Sequence, residues 1–426
     1  MMANATAEQS PRGVAVWPDA PPVFADVPLP QRLLVPLSVR IGRDAKLKER
    51  GAKVRRGQSL VEDASEWSHV PVAPADGTLG DVRPIRLTTG RAASAIELTV
   101  ENDSPSAPGV AAGPREVTSL ISGLERIRAS GVWADRHASP DLIGQLNQII
   151  ARPIDTLICT ALDSDASLRL SAAIAANSAD KVVAGIEMLA RITTARNVFL
   201  AVESFSGPAW IKPLWKATRD SRIRLTDLAN DYPQSDPTLM VFSLTRRRLR
   251  PENLPTARGV MVIDAAAALA IGDSVDCLPM LTVPVALHDH VRHRSHFLRV
   301  PVGTTIDLLL KPLAIEADEV MLRGGDLLRD LRLRRDAVVA GGELTLHVTA
   351  TERPVIPEPC IRCAWCMEAC PTLVHPALAL DAAQRNDAKM AARAGIAACI
   401  ECGVCAHVCP SRLPLLIAIR GMKESK

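Results

Sequence analysis

Eight of the ten cysteines in this 426-residue chain stand in two short runs toward its C-terminal end. The first run reads PCIRCAWCMEACP, from residue 359 to 371, and the second reads CIECGVCAHVCPS, from residue 399 to 411. Thiols grouped in this way form disulfides, hold metal or carry out redox chemistry. The chain opens without an apolar run of the signal-peptide type, so we expect a reducing compartment, in which structural disulfides are rare.

The spacing within each run predicts the kind of metal site. Both runs follow C-x2-C-x2-C-x3-C-P, the spacing that holds 4Fe-4S clusters in bacterial ferredoxins, where the fourth cysteine of one run ligates the other cluster. Two CxxC pairs also occur in tetrahedral zinc sites, but the four-cysteine spacing argues against zinc. Pro371 and Pro410 would turn the backbone sharply after each run. The predicted ligands are Cys360, Cys363, Cys366 and Cys409 for one cluster, and Cys399, Cys402, Cys405 and Cys370 for the other.

Composition excludes other classes of function. The chain has 50 basic and 47 acidic residues, a net charge of +3, and only 3% aromatic residues. It therefore offers neither the charge nor the aromatic platforms with which proteins bind nucleic acid. No stretch of the sequence approaches the ~20 apolar residues that a membrane-spanning helix needs. We expect a soluble or peripheral protein without a nucleic-acid partner.

Hydrophobic patterning divides the chain into five segments and predicts a multidomain α/β and α+β fold. Residues 1–28, rich in Ala, Pro and small polar side chains, are expected to form a flexible tail. Short apolar runs broken by Gly and Pro predict an all-β module over 29–105. Alternating strands and helices over 106–290 predict a mainly parallel sheet with helices on both faces. Residues 291–350 predict a small α+β unit, and 351–426 carry the cysteine runs, joined by a helix-prone linker.

The cysteine-rich segment resembles the C subunit of Rnf-type ion-translocating electron-transport complexes. Upstream stretches that share the resemblance are VPLSVRIG, GQSL, LPTARGVMVID, VPVGTTIDLLL and VMLRGGDLL. The resemblance implies, in chain order, a barrel-sandwich hybrid, a Rossmann-like α/β domain similar to the flavin-binding subunit of NADH dehydrogenase, an SLBB-like β-grasp domain and a helical dicluster ferredoxin domain. It also implies a cytoplasmic subunit, peripheral on the inner face of the cell membrane. Its partners would be other subunits of a membrane redox complex and redox proteins such as a ferredoxin or a flavoprotein.

Three segments of the α/β domain depart from the pattern of family members that oxidise NADH. Those members have a glycine-rich loop after the first helix, because only glycine lets backbone amides approach a phosphate closely. Here that loop is SGVWADRHASPD, residues 130–141, in which Gly131 stands alone. ALDSD at 161–165 replaces an acidic Glu-Cys-Glu-Pro motif, and YPQSDP at 232–237 replaces Tyr-Pro-x-Gly-Gly-Glu. The combined losses predict that neither FMN nor NADH binds.

The sequence therefore favours an electron-transfer subunit that relays electrons through two 4Fe-4S clusters. It would be an oxidoreductase component without its own NADH dehydrogenase site, and no residue is assigned a catalytic role. Two alternatives stay open. The chain could be an NADH-oxidising, FMN-containing subunit of the same complex, or a docking scaffold whose clusters are structural.

Overall fold

The computed structural model describes most of the chain. The described residues are 19–37, 46–63, 69–101, 109, 113–165, 167–203, 207–229, 231–315, 320–329, 331–342, 344–351 and 356–424. They form three β-sheets followed by a group of helices that carries the cysteine runs. None of the helices within these ranges has the length and apolar character needed to cross a bilayer.

The first sheet is antiparallel and has four strands. Its order is β2 (Arg32–Leu37), β5 (Ala92–Val100), β4 (Gly77–Arg86) and β3 (Lys53–Val54). Leu33 and Val35 of β2 alternate with more exposed positions and pack with Leu98 of β5 in a small separate core. This alternation is typical of a sheet that buries only one face. The sheet lies where the all-β module was predicted.

Four parallel strands form the centre of the α/β domain. Their order is β8 (Arg224–Leu228), β7 (Asn197–Glu203), β6 (Thr156–Thr160) and β9 (Val260–Asp264). Every residue of β6 and β9 is buried, and alternate residues of these strands enter two different hydrophobic cores. Helices therefore cover both faces of the sheet, as the sequence predicted. The helices of this part are α1 (Leu120–Ala129), α2 (Leu142–Ala151), α3 (Leu170–Asn177), α4 (Ala179–Ile192), α5 (Pro208–Thr218), α6 (Pro237–Thr245) and α7 (Ala265–Val275).

The order of the parallel strands reverses beside β6. The chain moves outward from β6 to β7 and β8, and then returns to place β9 on the opposite side of β6. Open parallel sheets bind ligands outside the carboxyl ends of their strands at such a reversal. The loops that follow β6 and β9 are therefore the place to look for a ligand site in this domain.

The third sheet is mixed and has six strands. Its order is β1 (Ala25–Asp26), β11 (Arg294–Pro301), β10 (Thr282–Asp289), β14 (Thr345–Ala350), β12 (Val320–Gly324) and β13 (Leu331–Arg332). A short helix, α8 (Ile306–Leu310), follows β11. Two strands come from outside the segment 291–350. β1 lies in the segment expected to be a flexible tail, and β10 pairs with β11 as the first arm of a hairpin.

The C-terminal part is helical, and residues 356–424 contain no strand. Its helices are α9 (Trp365–Glu368), α10 (Pro376–Arg385), α11 (Ala388–Arg393), α12 (Val404–His407) and α13 (Leu415–Glu424). Both cysteine runs have the same arrangement of helices. A short helix lies within each run, α9 or α12, and a longer helix, α10 or α13, follows the proline that ends the run. Ala379 and Ala382 of α10 pack with Ile419 of α13, which joins the two halves.

Candidate functional site

The two cysteine runs share one backbone conformation. In each run the residues on either side of the second cysteine have left-handed φ values, 57° and 68° at Arg362 and Ala364, and 56° and 81° at Glu401 and Gly403. Non-glycine residues adopt this conformation at a cost, so it persists only where the surrounding structure requires it. Its recurrence in both runs indicates a functional constraint on the loops that carry the thiols.

The eight thiols fall into two groups, and each group takes three cysteines from one run and the last cysteine of the other. Burial is the largest cause that raises the pKa of Cys366 and of Cys405; Cys409, Cys363 and Cys360 also raise the pKa of Cys366, and Cys399, Cys402 and Cys370 that of Cys405. One group consists of Cys360, Cys363, Cys366 and Cys409, and the other of Cys399, Cys402, Cys405 and Cys370. Their membership is the same as that of the two ligand sets expected from the spacing. Ligation itself stays a prediction.

The surroundings of the thiols fit iron–sulfur ligation. Burial raises the pKa of Cys399 to about 11 and that of Cys405 to about 12, so a bound metal would have to displace a proton from each of these sulfurs at neutral pH. The backbone N–H of Val374 donates to Cys370 Sγ over 3.3 Å, and that of Glu401 donates to Cys399 Sγ over 3.4 Å. Hydrogen bonds to sulfur help to set the potentials of 4Fe-4S clusters. Among the described residues, no three His, Cys, Asp or Glu side chains converge closely enough to hold a single metal ion.

The two groups differ in exposure. Cys360 is exposed, whereas Cys399, Cys402 and Cys405 are buried. Large apolar side chains elsewhere in residues 356–373 also face solvent. They are Ile356, Ile361, Trp365, Met367 and Leu373. We call the group containing Cys360 the outer thiol group and the group containing Cys399 the inner thiol group.

Loops from the upstream part of the chain cover the inner thiol group. The hydroxyl of Tyr232 donates a hydrogen bond to the carbonyl oxygen of Cys402. The backbone of Leu328 packs directly against Gly403, and a Cβ added at Gly403 would lie only 1.9 Å from the carbonyl oxygen of Leu328. Glycine is therefore required at this position both for its left-handed φ and for the close approach of another backbone.

Arg329 follows Leu328 in the short turn Leu327–Arg329, and its side chain reaches the loop that carries the inner thiols. Its Nη1 donates to the carbonyl oxygens of Ile400 and Glu401 over 3.0 and 3.3 Å, and its Nε donates to Asp326 Oδ2 over 2.8 Å. Burial disfavours the charged form, but Asp326, followed by Tyr232, raises the pKa of Arg329, so the guanidinium stays protonated. A fixed positive charge thus lies against the loop between the first two cysteines of the second run.

A histidine and an aspartate connect Arg329 to the α/β domain. His137 Nε2 lies 2.7 Å from Arg329 Nη2 and 2.6 Å from Asp236 Oδ2. Asp236 is almost fully buried, and it caps α6 by accepting from the backbone N–H of Thr238 over 2.8 Å. Burial raises the pKa of Asp236, but the hydrogen bond from His137 and the charges of His137 and Arg329 outweigh burial and lower it. The side chain is therefore a carboxylate at neutral pH.

The three segments that depart from the family pattern meet at the carboxyl edge of the parallel sheet. They line one small cavity of about 70 Å³ together with Asp264, Asp326 and Arg329. The side chains that the three segments contribute are Arg136, His137, Ala138, Leu162, Asp163, Ser164 and Ser235. The sequence identified the segments but gave no sign of Asp326 and Arg329, which lie in the connection between β12 and β13.

Carboxylates of the chain itself occupy the helix N-termini at this edge. Asp163 accepts from the backbone N–H of Ser171 over 2.9 Å at the start of α3, and burial raises the pKa of Asp163 to about 7. Asp264 caps α7 by accepting from the N–H of Ala267 over 2.8 Å, and it also forms a buried ion pair with Arg136. Helix N-termini bind external anions through free amides. At these two termini the amides are already engaged.

A larger cleft of about 740 Å³ lies beside the small cavity and reaches the inner thiol group. Its wall combines carboxylates and cations. Cys399, Glu401 and Lys423 belong to it, and Lys423 Nζ donates to the carbonyl of Cys399 over 3.0 Å and to Glu401 over 2.6 Å. The volume is within the range of small-molecule sites, ~300–1,000 Å³. The cleft therefore leads from the sheet edge to Cys399, one of the buried thiols.

Comparison with known proteins assigns two parts of the chain to families. Residues 144–273 match the family described as the Nuo51 FMN-binding domain. Residues 355–410 match the family described as the 4Fe-4S dicluster domain. The first match lies within the α/β domain, and the second contains both cysteine runs.

Curated relatives match most of the chain. The C subunit of the ion-translocating oxidoreductase complex of Pseudomonas aeruginosa is 27% identical over 361 residues, which cover 82% of this chain and 46% of that protein. The C subunit of the proton-translocating ferredoxin:NAD(+) oxidoreductase complex of Clostridium ljungdahlii is 22% identical over 358 residues, which cover 82% and 78%. The chain thus spans less than half the length of the Pseudomonas protein.

A solved structure shares the fold. The NAD+-reducing NiFe hydrogenase in its H2-reduced state superposes with a TM-score of 0.50 at 13% identity, over 72% of this chain and 63% of that one. This similarity concerns the fold alone. Together with the two family matches, the sequence relatives identify the chain as a homologue of the C subunits of ion-translocating oxidoreductase complexes.

Proposed function

We propose that this chain relays electrons through two 4Fe-4S clusters as a subunit of a membrane-associated redox complex, peripheral on the cytoplasmic face of the membrane. The observation that carries the proposal is the crosswise grouping of eight thiols within a segment that matches a dicluster domain. Each bound cluster would accept and release one electron at a time. The outer ligands would be Cys360, Cys363, Cys366 and Cys409, and the inner ligands Cys399, Cys402, Cys405 and Cys370.

The protein's own contribution is placement and electrostatics. Burial of the inner thiols keeps water away, and backbone amides directed at Cys370 and Cys399 stabilise negative charge on sulfur. The exposed outer group lets a redox partner approach closely. Electrons would therefore be exchanged with another protein at the outer group, while the inner group faces the cleft and the α/β domain.

We also propose that the α/β domain binds neither FMN nor NADH. The recess at the sheet edge measures about 70 Å³, far below the ~300 Å³ at which small-molecule sites begin. Asp163 and Asp264 occupy the helix N-termini that would attract a phosphate, and Arg136 fills the space between the loops. The neighbouring cleft is wide enough, but cations on its wall are already paired with carboxylates, Arg329 with Asp326 and Lys423 with Glu401, which weakens their attraction for an anion.

The test is anaerobic analysis of the purified chain. We expect about eight irons per chain, no stoichiometric flavin, cluster bleaching by a reduced ferredoxin or flavoprotein, and no bleaching by NADH. A chain without iron would overturn the relay. Bound flavin with NADH-dependent bleaching would instead support an FMN-containing, NADH-oxidising subunit, the alternative that the match to the Nuo51 FMN-binding domain favours. If the clusters are present but no redox protein reduces them, the chain is a docking scaffold.

The finer domain assignments are proposals as well. We assign residues 29–105 to a barrel-sandwich hybrid, 106–290 to the α/β domain, 291–350 to an SLBB-like β-grasp domain and 351–426 to the ferredoxin domain. The antiparallel four-stranded sheet supports the first of these. Because β10 pairs with β11 and β14, the β-grasp unit would begin at about Thr282 rather than at 291.

A further inference from the structure

We propose that Arg329 positions the inner cluster and raises its reduction potential, a role outside the cysteine motif. This inference rests on the proposed electron relay. Arg329 contacts none of the sulfurs through a hydrogen bond that the structure records, so it would act through the loop that carries them and through its charge.

The contacts of Arg329 hold the inner loop from one side. Its Nη1 bonds to the carbonyl oxygens of Ile400 and Glu401, the two residues between Cys399 and Cys402. The carbonyl oxygen of Arg329 in turn accepts from Arg420 Nη1 over 3.0 Å, on the helix that follows the second run. Arg329 is therefore bonded to the C-terminal segment both within the second run and on the helix after it.

The charge of Arg329 is buried and fixed in place. Only 13% of its side chain is exposed, and Nε is bonded to Asp326. A cluster becomes more negative when it is reduced, so a cation at this position stabilises the reduced state, and burial limits screening by solvent. Asp236, whose Oδ2 lies 3.8 Å from Arg329 Nη2, acts in the opposite direction.

The opposite charges of Arg329 and Asp236 make it possible to distinguish an electrostatic role of Arg329 from a structural one. Replacing Arg329 by Gln removes positive charge, whereas replacing Asp236 by Asn removes negative charge and retains a residue type that caps helices well. A loss of packing alone would disturb the inner cluster in the same direction in both variants. A charge effect would move its potential in opposite directions.

The experiment is a potentiometric titration of the full chain, followed by the paramagnetic signals of the two reduced clusters. At a fixed potential, we expect the ratio of reduced to oxidised inner cluster to fall about tenfold in Arg329→Gln, equivalent to ~59 mV for a one-electron couple. The ratio should rise in Asp236→Asn and stay within about twofold of the parent in Arg329→Lys, which keeps the charge. Arg334→Gln is the matched control, because Arg334 is exposed and pairs with Asp336 on the surface. This substitution should leave the reduction potentials of both clusters unchanged.

Shifts of the same sign in Arg329→Gln and Asp236→Asn would overturn the inference, as would equal shifts in Arg329→Lys and Arg329→Gln. If Arg329→Gln loses the inner cluster, the Lys and Asn variants still decide between charge and packing. Iron analysis distinguishes a failure of the proposed relay from a failure of the role of Arg329. A parent chain without iron refutes the proposed relay, whereas a fully loaded chain with unshifted potentials refutes only the role of Arg329.

Discussion

Replacing Gly403 by Ala should detach the inner thiol group from the turn that covers it. The new Cβ would lie 1.9 Å from the carbonyl oxygen of Leu328, and the backbone would have to keep a φ of 81°. A left-handed conformation costs an L-residue ~1–2 kcal/mol, and forcing an extra carbon into a packed contact costs ~1–3 kcal/mol. The free energy of unfolding of the ferredoxin segment should therefore fall by about 2–5 kcal/mol.

Gly395 provides the matched control for this substitution. Its φ is 78°, but nothing lies within 4 Å of the position that a Cβ would take. Gly395→Ala should therefore lower the free energy of unfolding only by the cost of the left-handed conformation, ~1–2 kcal/mol. The assay is urea unfolding under strict anaerobiosis, followed by cluster absorbance and iron release. If the two alanine variants lose clusters at the same urea concentration, the turn at Leu328 does not press on the inner run in solution, and the reasoning fails.

Three further outcomes are expected. Cys370→Ser should alter the same cluster signal as Cys402→Ser although the two cysteines stand in different runs, and the crosswise ligand sets are wrong if it alters the other signal. Trp365→Ser should slow reduction by a partner ferredoxin several-fold in stopped-flow measurements, without changing either potential, because Trp365 is exposed beside the outer group; an unchanged rate would place the partner elsewhere. Burial raises the pKa of Asp163 from its ordinary value of 3.8 to about 7, so between these two pH values the folded chain binds more protons than the unfolded chain. The free energy of unfolding should therefore decrease as pH rises over that range. Asp163→Asn should flatten the dependence of the urea midpoint between about pH 4 and 7, and a parallel curve would contradict the assignment.

Local patterns predicted much of the molecule. Cysteine spacing predicted the two crosswise ligand sets because the four-cysteine pattern is typical of proteins that hold two 4Fe-4S clusters; ligation of the clusters stays a prediction. The buried run of β6 predicted a central parallel strand, since a strand covered on both faces is apolar at every position. The helix-prone linker between the runs predicted α10 and α11 by its alanine content.

The difference between the two thiol groups was not predicted, because both runs have the same spacing. It arises from Tyr232, Leu328 and Arg329, which are distant in sequence from the residues they cover. One signal was present in the sequence. The left-handed position after the second cysteine is Ala364 in the first run but Gly403 in the second, which indicates a close neighbour at the second run only.

The contact between Gly403 and Leu328 also bears on how steadily electrons could move through the protein. Electron transfer between two redox centres slows steeply as the distance between them grows. A small displacement of one loop would therefore change the rate of electron transfer. Where one backbone packs directly on another, no side chain lies between them to rearrange, so this contact would hold the loop of the inner thiol group at a constant distance from Leu328. At the outer thiol group Cys360 is exposed, so the distance of an electron transfer there would be set by the protein that docks against it.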